Sequence, residues 1–410
     1  MTPLILAIPD LDSEPDLVSS AALHGVVVVR RSFDAADLLA AAAADTSMAV
    51  ALSAGVPRLS GDLVGRLIAD ERLVIGIAGN DEDERQLAAW NVRCIIRHHG
   101  DAVATMAQIA RAIGSGDSAM PSTDFSPRDF RAHDRSVLDE EPNEDSRPQC
   151  LIAVWGTTGA PGRTTTALAV AQSLARQGHE VCLADADTYA PSMVAQVAVN
   201  ADTSGLVVAC RQAENGTLNR RTLLAAARQL SDRLFILGGI ARAERWPDLR
   251  EAALRTVWSV AREAFDVVVV DIGACVEEEG AVAHLAGSPL LASRRNAAAV
   301  TALEAADRVL VTARSSTLGL TRLLNELPAV TRVNDDAPLT LVLTGQQGML
   351  ATTSVSDRLL RQLGVRAPVV RMPRDPERLE RAIRDGITPY EAASRRERRV
   401  LTALAKGLAA

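Results

Sequence analysis

Short apolar blocks alternate with longer stretches of helical period in two parts of this chain. In residues 1–114 the blocks predict strands over 4–8, 26–30, 48–52, 73–78 and 93–97. Helical stretches lie between and after them, such as 35–44 and 102–113. The alternation resumes at 149 and runs to the end, with strand-like blocks over 151–155, 181–187, 265–273, 307–311, 339–343 and 369–373. Strands separated by helices of this length predict parallel sheets covered by helices on both faces. Residues 115–148 break the pattern. They hold nine acids, four arginines and the prolines Pro121, Pro127, Pro142 and Pro148, with little apolar surface to bury, so an extended disordered linker is expected. The predicted organisation is therefore 1–114, a linker over 115–148, and 149–410. At 410 residues the length agrees with two or three domains.

Five β/α units in the first part match the flavodoxin-like doubly wound order in size. This part resembles a response-regulator receiver domain. A receiver needs an aspartate at the end of its third strand. Here that place reads Ala51-Leu52-Ser53-Ala54-Gly55. Arg97 and His98 follow the fifth strand where a receiver would carry lysine, and Asp10 and Asp12 follow the first. The expectation is a pseudo-receiver that keeps the fold and has lost phosphorylation. Asp10 and Asp12 read equally well as ordinary loop polarity.

The third part carries the candidate chemistry. The strand-like block Leu151-Ile152-Ala153-Val154-Trp155 leads into Gly156-Thr157-Thr158-Gly159-Ala160-Pro161-Gly162-Arg163-Thr164-Thr165-Thr166, and a helix is predicted over 167–176. Strand, glycine-rich loop and helix is the context of a phosphate cradle, where backbone N–H groups and the helix N-terminus attract an anion. Thr164 is placed for a Mg²⁺ contact, and Thr165 for a bond to an α-phosphate. Against the pattern GxxxxGK[ST], Thr157 replaces glycine and Arg163 replaces lysine, so the loop alone reads equally as a plain βα turn. Two further strands end in acids, Asp185 and Asp187 in one and Asp271, followed by Gly273, in the other. In a parallel sheet both ends fall on the edge that carries the loop. Three acids and a threonine there suit Mg²⁺ and phosphate by ligand type, although each aspartate singly could be a helix cap or turn residue.

With these motifs in place, residues 149 to about 392 resemble the MinD/ParA branch of P-loop ATPases. The whole arrangement is similar to the CpaE/TadZ localisation factors of pilus assembly and to MinD-like septum-site-determining proteins. The resemblance implies that Gly159, Ala160, Pro161, Gly162, Arg163, Thr164 and Thr165 bind the phosphates of ATP. It implies Mg²⁺ on Thr164, with Asp185 near the metal and Asp271 as the Walker B acid. Asp187 would orient the attacking water, with Arg163 as the catalytic cation. Thr344 stands where the family carries an adenine-reading asparagine, and Pro373 begins the loop that borders the base. The implied partners are ATP or ADP, a second copy of the chain, and proteins of a division or pilus machinery.

Composition sharpens one point. Of 44 basic residues only Lys406 is lysine. Lysine-dependent sites must here use arginine or do without. Arg163 keeps the phosphate-binding charge and can bind bidentately. Thr158 occupies the position of the family's signature lysine, which reaches across the dimer, and carries no charge. Loss of a cation of arginine-finger type costs ~10³–10⁵ in rate. Nucleotide binding is thus expected before fast hydrolysis, and the competing reading is a non-hydrolysing scaffold that recruits partners through the pseudo-receiver. Arg294 and Arg295 are candidates for a substitute cation.

A net charge of −7 argues against DNA as a partner. Five cysteines (Cys94, Cys150, Cys182, Cys210, Cys275) without a CxxC pattern fit a reduced cytoplasm. The start lacks a basic segment ahead of its apolar run, and no run of 18 apolar residues occurs, so neither a signal peptide nor a membrane span is expected. The basic tail can form a helix with Val400, Leu401, Leu404 and Leu408 on one face. It is read as a packing helix in preference to a peripheral membrane anchor.

Overall fold

A computed structural model describes residues 2–9, 11, 13–44, 49–114, 149–159, 162–198, 204–277, 294–345, 360, 367–373 and 375–409. The chain divides into two compact units, Met1–Arg147 and Pro148–Ala410. The expected linker, Asp10, Asp12, Ala160 and Pro161 lie outside the described residues.

The first unit alternates strictly: β1 Thr2–Ala7, α1 Glu14–Ser20, β2 Val26–Arg31, α2 Ala35–Ala44, β3 Ala49–Ser53, α3 Gly61–Ala69, β4 Val74–Ala78, α4 Asp81–Ala89, β5 Cys94–Arg97 and α5 Ala102–Gly114. The strands form one sheet in the order β2-β1-β3-β4-β5, and every pairing is parallel. This is the flavodoxin-like order predicted from size. Strands β3 and β4 are buried throughout, as central parallel strands must be.

The second unit begins with β6 Cys150–Gly156, α6 Arg163–Arg176, β7 Val181–Ala186, α7 Met193–Gln196, α8 Gly205–Glu214, α9 Arg220–Ala226, β8 Arg228–Ser231 and β9 Leu234–Leu237. It continues with α10 Glu251–Ala264, β10 Val267–Ile272, α11 Ala297–Glu304, β11 Arg308–Arg314, α12 Thr317–Val333, β12 Leu339–Thr344 and β13 Val369–Met372, then α13 Pro376–Asp385, α14 Pro389–Ala392 and α15 Arg395–Ala409. The sheet order is β13-β12-β11-β6-β10-β7-β9-β8. All pairs are parallel except β8 with β9. The chain winds outward from β6 in both directions, so the switch point lies at the carboxyl end of β6, between β10 and β11.

Strand alternation decides which groups meet. Val268 and Val270 of β10 belong to one core layer with Trp155 and Trp258, while Val267 and Val269 belong to the other with Leu168 and Leu174 of α6. Asp271 therefore follows Val267 and Val269 onto the α6 side. In β7, Val181 and Leu183 lie on that side too, so Asp185 joins Asp271 there. The register pairs Asp271 directly with Asp185. The fold thus forces two carboxylates into adjacent places under the start of α6.

The terminal helix α15 is spent on packing. Leu404, Ala405 and Leu408 join the layer under α6, and Leu401 packs with Ala169 and Ala393. The Cys150 thiol donates to the Leu408 carbonyl at 3.7 Å. Val400, expected on the same face, is only half-buried. Among the described residues no helix is long and apolar enough to cross a membrane. Leu404→Ala is expected to destabilise this unit by about 2–3 kcal/mol, read as a lower urea midpoint. An unchanged midpoint would mean that α15 is dispensable for the unit.

Candidate functional site

The glycine-rich turn between β6 and α6 lies at the switch point. Gly156 ends β6 where a Cβ would stand 2.8 Å from the Thr312 carbonyl of β11. Gly159 and Gly162 have φ of +66° and +129°, values that side chains disfavour. A Cβ on Gly162 would also meet Thr344 Cγ2 at 3.2 Å. The turn delivers Arg163 and Thr164 as the first residues of α6, whose N-terminal N–H groups carry positive potential.

Both side chains find acids. Arg163 Nη2 donates to Asp187 Oδ2 at 2.8 Å, and Nη1 donates to the Gly156 carbonyl at 3.3 Å. Asp187 is 3% exposed and Arg163 18%, so the pair is well shielded. Thr164 Oγ1 donates to Asp271 Oδ2 at 2.6 Å. The other oxygen, Asp271 Oδ1, is buried with no hydrogen-bond partner among the described residues. Asp185 accepts from the N–H groups of Asp187 and Met193, each at 3.2 Å. Asp187 Oδ1 accepts from the N–H groups of Tyr189 and Ala190 at 2.9 and 3.0 Å, which fixes its orientation just beyond β7.

Burial sets the electrostatics. It pushes the Asp185 carboxyl up to about 6, against the backbone N–H bonds that favour its charged form. Asp271 is held well above the ordinary carboxylate range, first by burial and then by the neighbouring Asp185, with Thr164 and Arg163 opposing. Three buried acids thus face one guanidinium, that of Arg163, and the cluster suits a further cation.

The sequence-expected residues therefore separate. Gly159, Gly162, Arg163, Thr164, Asp185, Asp187 and Asp271 converge on one place. Thr165 is half-buried in the first turn of α6. Thr344 lies against Gly162 of the loop itself, its hydroxyl 3.4 Å from the Ala313 carbonyl. Pro373 is exposed, one residue past β13 on the same sheet edge. Arg294 faces Glu251 at 3.9 Å, and the Arg295 guanidinium stacks 4.0 Å from the Tyr189 ring centroid. Tyr189 in turn donates its hydroxyl to Asn296 Oδ1 at 2.9 Å.

Two site residues were not foreseen. Glu326 and Arg322 of α12 bind the backbone of Thr158. Nothing in the local sequence marks them beyond two charges four residues apart on a helix.

The donor set fits a hard divalent cation. Thr164 and Asp271 offer oxygen only, and Asp271 Oδ1 is an orphaned acceptor. No three His, Cys, Asp or Glu side chains among the described residues could hold a metal by themselves. That is the usual situation for Mg²⁺, which takes one or two carboxylates and completes its shell with phosphate and water.

A parallel sheet with a glycine-rich turn, a helix N-terminus and acids at its switch point defines a phosphate-loop α/β protein. The chain belongs to the CobQ/CobB/MinD/ParA nucleotide binding domain family, whose model matches residues 152–389. Among solved structures it is similar to a ParA family ATPase from Chlorobium tepidum TLS, with 16% identity and a TM-score of 0.52, covering 63% of this chain and 99% of that one. It is also similar to the cell division ATPase MinD of Pyrococcus furiosus, with 16% identity and a TM-score of 0.48, covering 63% of this chain and 97% of that one. At 16% identity the likeness to the ParA family ATPase is one of fold. No curated protein matches the chain.

Proposed function

We propose that residues 149–410 bind ATP with Mg²⁺ and hydrolyse it slowly. The observation that carries this reading is the convergence of Arg163, Thr164, Asp185, Asp187 and Asp271 on one glycine-rich loop, in a chain of a nucleotide-binding family. The loop from Gly159 to Arg163 would cradle the phosphates, with N–H groups from Gly159, Ala160, Gly162 and Arg163 donating and Pro161, which has no N–H, shaping the turn, and Thr165 would reach the α-phosphate. Thr164 and Asp271 would hold Mg²⁺, with Asp185 beside them. Bound there, the metal neutralises charge on the phosphates. Arg163 would exchange Asp187 for phosphate oxygens, which frees Asp187 Oδ2 to orient water. Thr344 and Pro373 would border the rest of the nucleotide.

In this reading the nucleotide state controls dimerisation and position, as in MinD- and CpaE-like proteins at a septum or pilus site in the cytoplasm. Residues 1–114 would be a pseudo-receiver. Three features fit a receiver-like fold that has lost phosphorylation. Ser53, 1% exposed, ends β3 where a phosphorylated acid would stand. Arg97 is held by Asp81 and Glu84. His98 bridges Ser13 and Thr105 at 2.7 and 2.9 Å. Peripheral membrane contact through the tail is disfavoured, because α15 buries its apolar face.

Calorimetry with ATP and Mg²⁺, paired with phosphate release, tests the proposal. Binding with slow release is expected, and Asp187→Ala should keep binding while release drops by about 10²-fold or more. An Asp187→Ala protein that turns over at the wild-type rate would refute the assignment of Asp187. Absence of binding at millimolar ATP would favour the non-hydrolysing scaffold.

A further inference from the structure

Thr158 lies on the outer edge of the phosphate loop and is exposed. Yet one helix takes both of its backbone polar groups. Its N–H donates to Glu326 Oε2 at 2.8 Å, and its carbonyl accepts from Arg322 Nη1 at 3.0 Å. Residues 322 and 326 are neighbours on one face of α12. Between and beside them, Leu320 and Leu323 are fully buried and Leu327 nearly so. The helix start is capped by Ser316, which accepts from the Gly319 N–H at 3.2 Å. The two charged side chains therefore stand on a fixed base, unlike a typical surface ion pair.

The guanidinium also presses on the next residue. A Cβ on Gly159 would lie 2.7 Å from Arg322 Nη1, so a side chain there would push the guanidinium aside, and the φ of +66° favours glycine independently. Thr158 itself contributes no charge. Arg322 puts one beside it, from within the same chain.

We propose that Glu326 and Arg322 are positioning residues that preset the phosphate loop. Glu326 fixes the Thr158 peptide, and Arg322 adds at Gly159 the positive charge that position 158 lacks. For its ligand this rests on the ATP reading above. The bracket itself is testable without nucleotide.

The first arm is hydrogen exchange of the nucleotide-free full-length protein, followed on peptides that include Thr158. Glu326→Ala should speed exchange of the Thr158 N–H about tenfold or more. Glu326→Gln should not, because its amide carbonyl can accept in the same place. Equal exchange in wild type and Glu326→Ala would overturn the bracket. The second arm is Mg²⁺–ATP affinity at low salt. Arg322→Gln should weaken it about tenfold, Arg322→Lys should recover most of the loss, and the gap should close as salt rises. A purely structural role would make Arg322→Lys and Arg322→Gln alike at every salt concentration, and that result would overturn the assigned charge. Failure of the wild type to bind ATP would remove the nucleotide reading, while the exchange arm still decides the bracket.

Discussion

Arg163→Ala is expected to weaken Mg²⁺–ATP binding by at least about a hundredfold, while Arg163→Lys should stay within about tenfold of wild type. Arg163 opens α6 at the switch point, and its two hydrogen bonds, to Asp187 and the Gly156 carbonyl, are both made inside the site. Removing it takes a cation from a place that already holds three carboxylates buried to 3% exposure or less. The phosphates would then add negative charge to an uncompensated cluster. Lysine restores the charge as a point and loses only the planar fork. Asp187 Oδ1 keeps its two backbone donors in either variant, so the loop beyond β7 should hold its shape. Calorimetry with ATP and ADP measures the effect, and a melting curve confirms folding. A folded Arg163→Ala protein with wild-type affinity would place the nucleotide elsewhere.

Much of this site was legible because local rules put it there. The four valines before Asp271 could only be a strand buried on both faces, and a parallel sheet then sends Asp185 and Asp271 to the edge that holds the glycine-rich loop. The first sheet was legible for the same reason, each strand being a short apolar block between helical stretches. Where sequence reading fell short, the contacts are long-range. Glu326 meets Thr158 across 168 positions of the chain, and no periodicity encodes that meeting. The resemblance placed Thr344 near a base, where the family carries an asparagine, and gave no hint of a contact with the loop. The closeness of Thr344 to Gly162 depends on how β12 sits two places from β6, beyond β11. The stacking of Arg295 on Tyr189, two residues past Asp187, is likewise a long-range contact that no local pattern announces. The antiparallel edge strand β8, Arg-Gln-Leu-Ser, has no apolar alternation to announce it.

The second large effect concerns stability. Asp271→Asn should stabilise the nucleotide-free protein at pH 8 and also abolish the extra stability that Mg²⁺–ATP confers. Asp271 and Asp185 are register neighbours, each 1% exposed. Unfolded, both would lose their protons near the ordinary value of about 3.9. Folded, Asp185 keeps its proton to about 6, and Asp271 is likewise raised by burial and by Asp185. Between those limits the folded chain binds more protons than the unfolded one, so stability falls as pH rises from about 4 through 6. For Asp185 alone a shift of this size corresponds to a loss on the order of 2–3 kcal/mol at pH 8. Asparagine at 271 cannot ionise, so the repulsion between two buried carboxylates is removed. The melting temperature should therefore depend less on pH between 4 and 8 than in the wild type, and should exceed it at pH 8. With ligand the order reverses. A wild-type site saturated at a hundredfold its dissociation constant gains about 2.7 kcal/mol, whereas the variant lacks the anionic oxygen that would hold Mg²⁺ beside Thr164. A variant that melts below wild type at pH 8 and still shows a Mg²⁺-dependent shift would make Asp271 a structural acid. The opposite pattern would mean that the chain maintains, at a cost in its own stability, a pair of acids whose natural counter-charge is a metal ion.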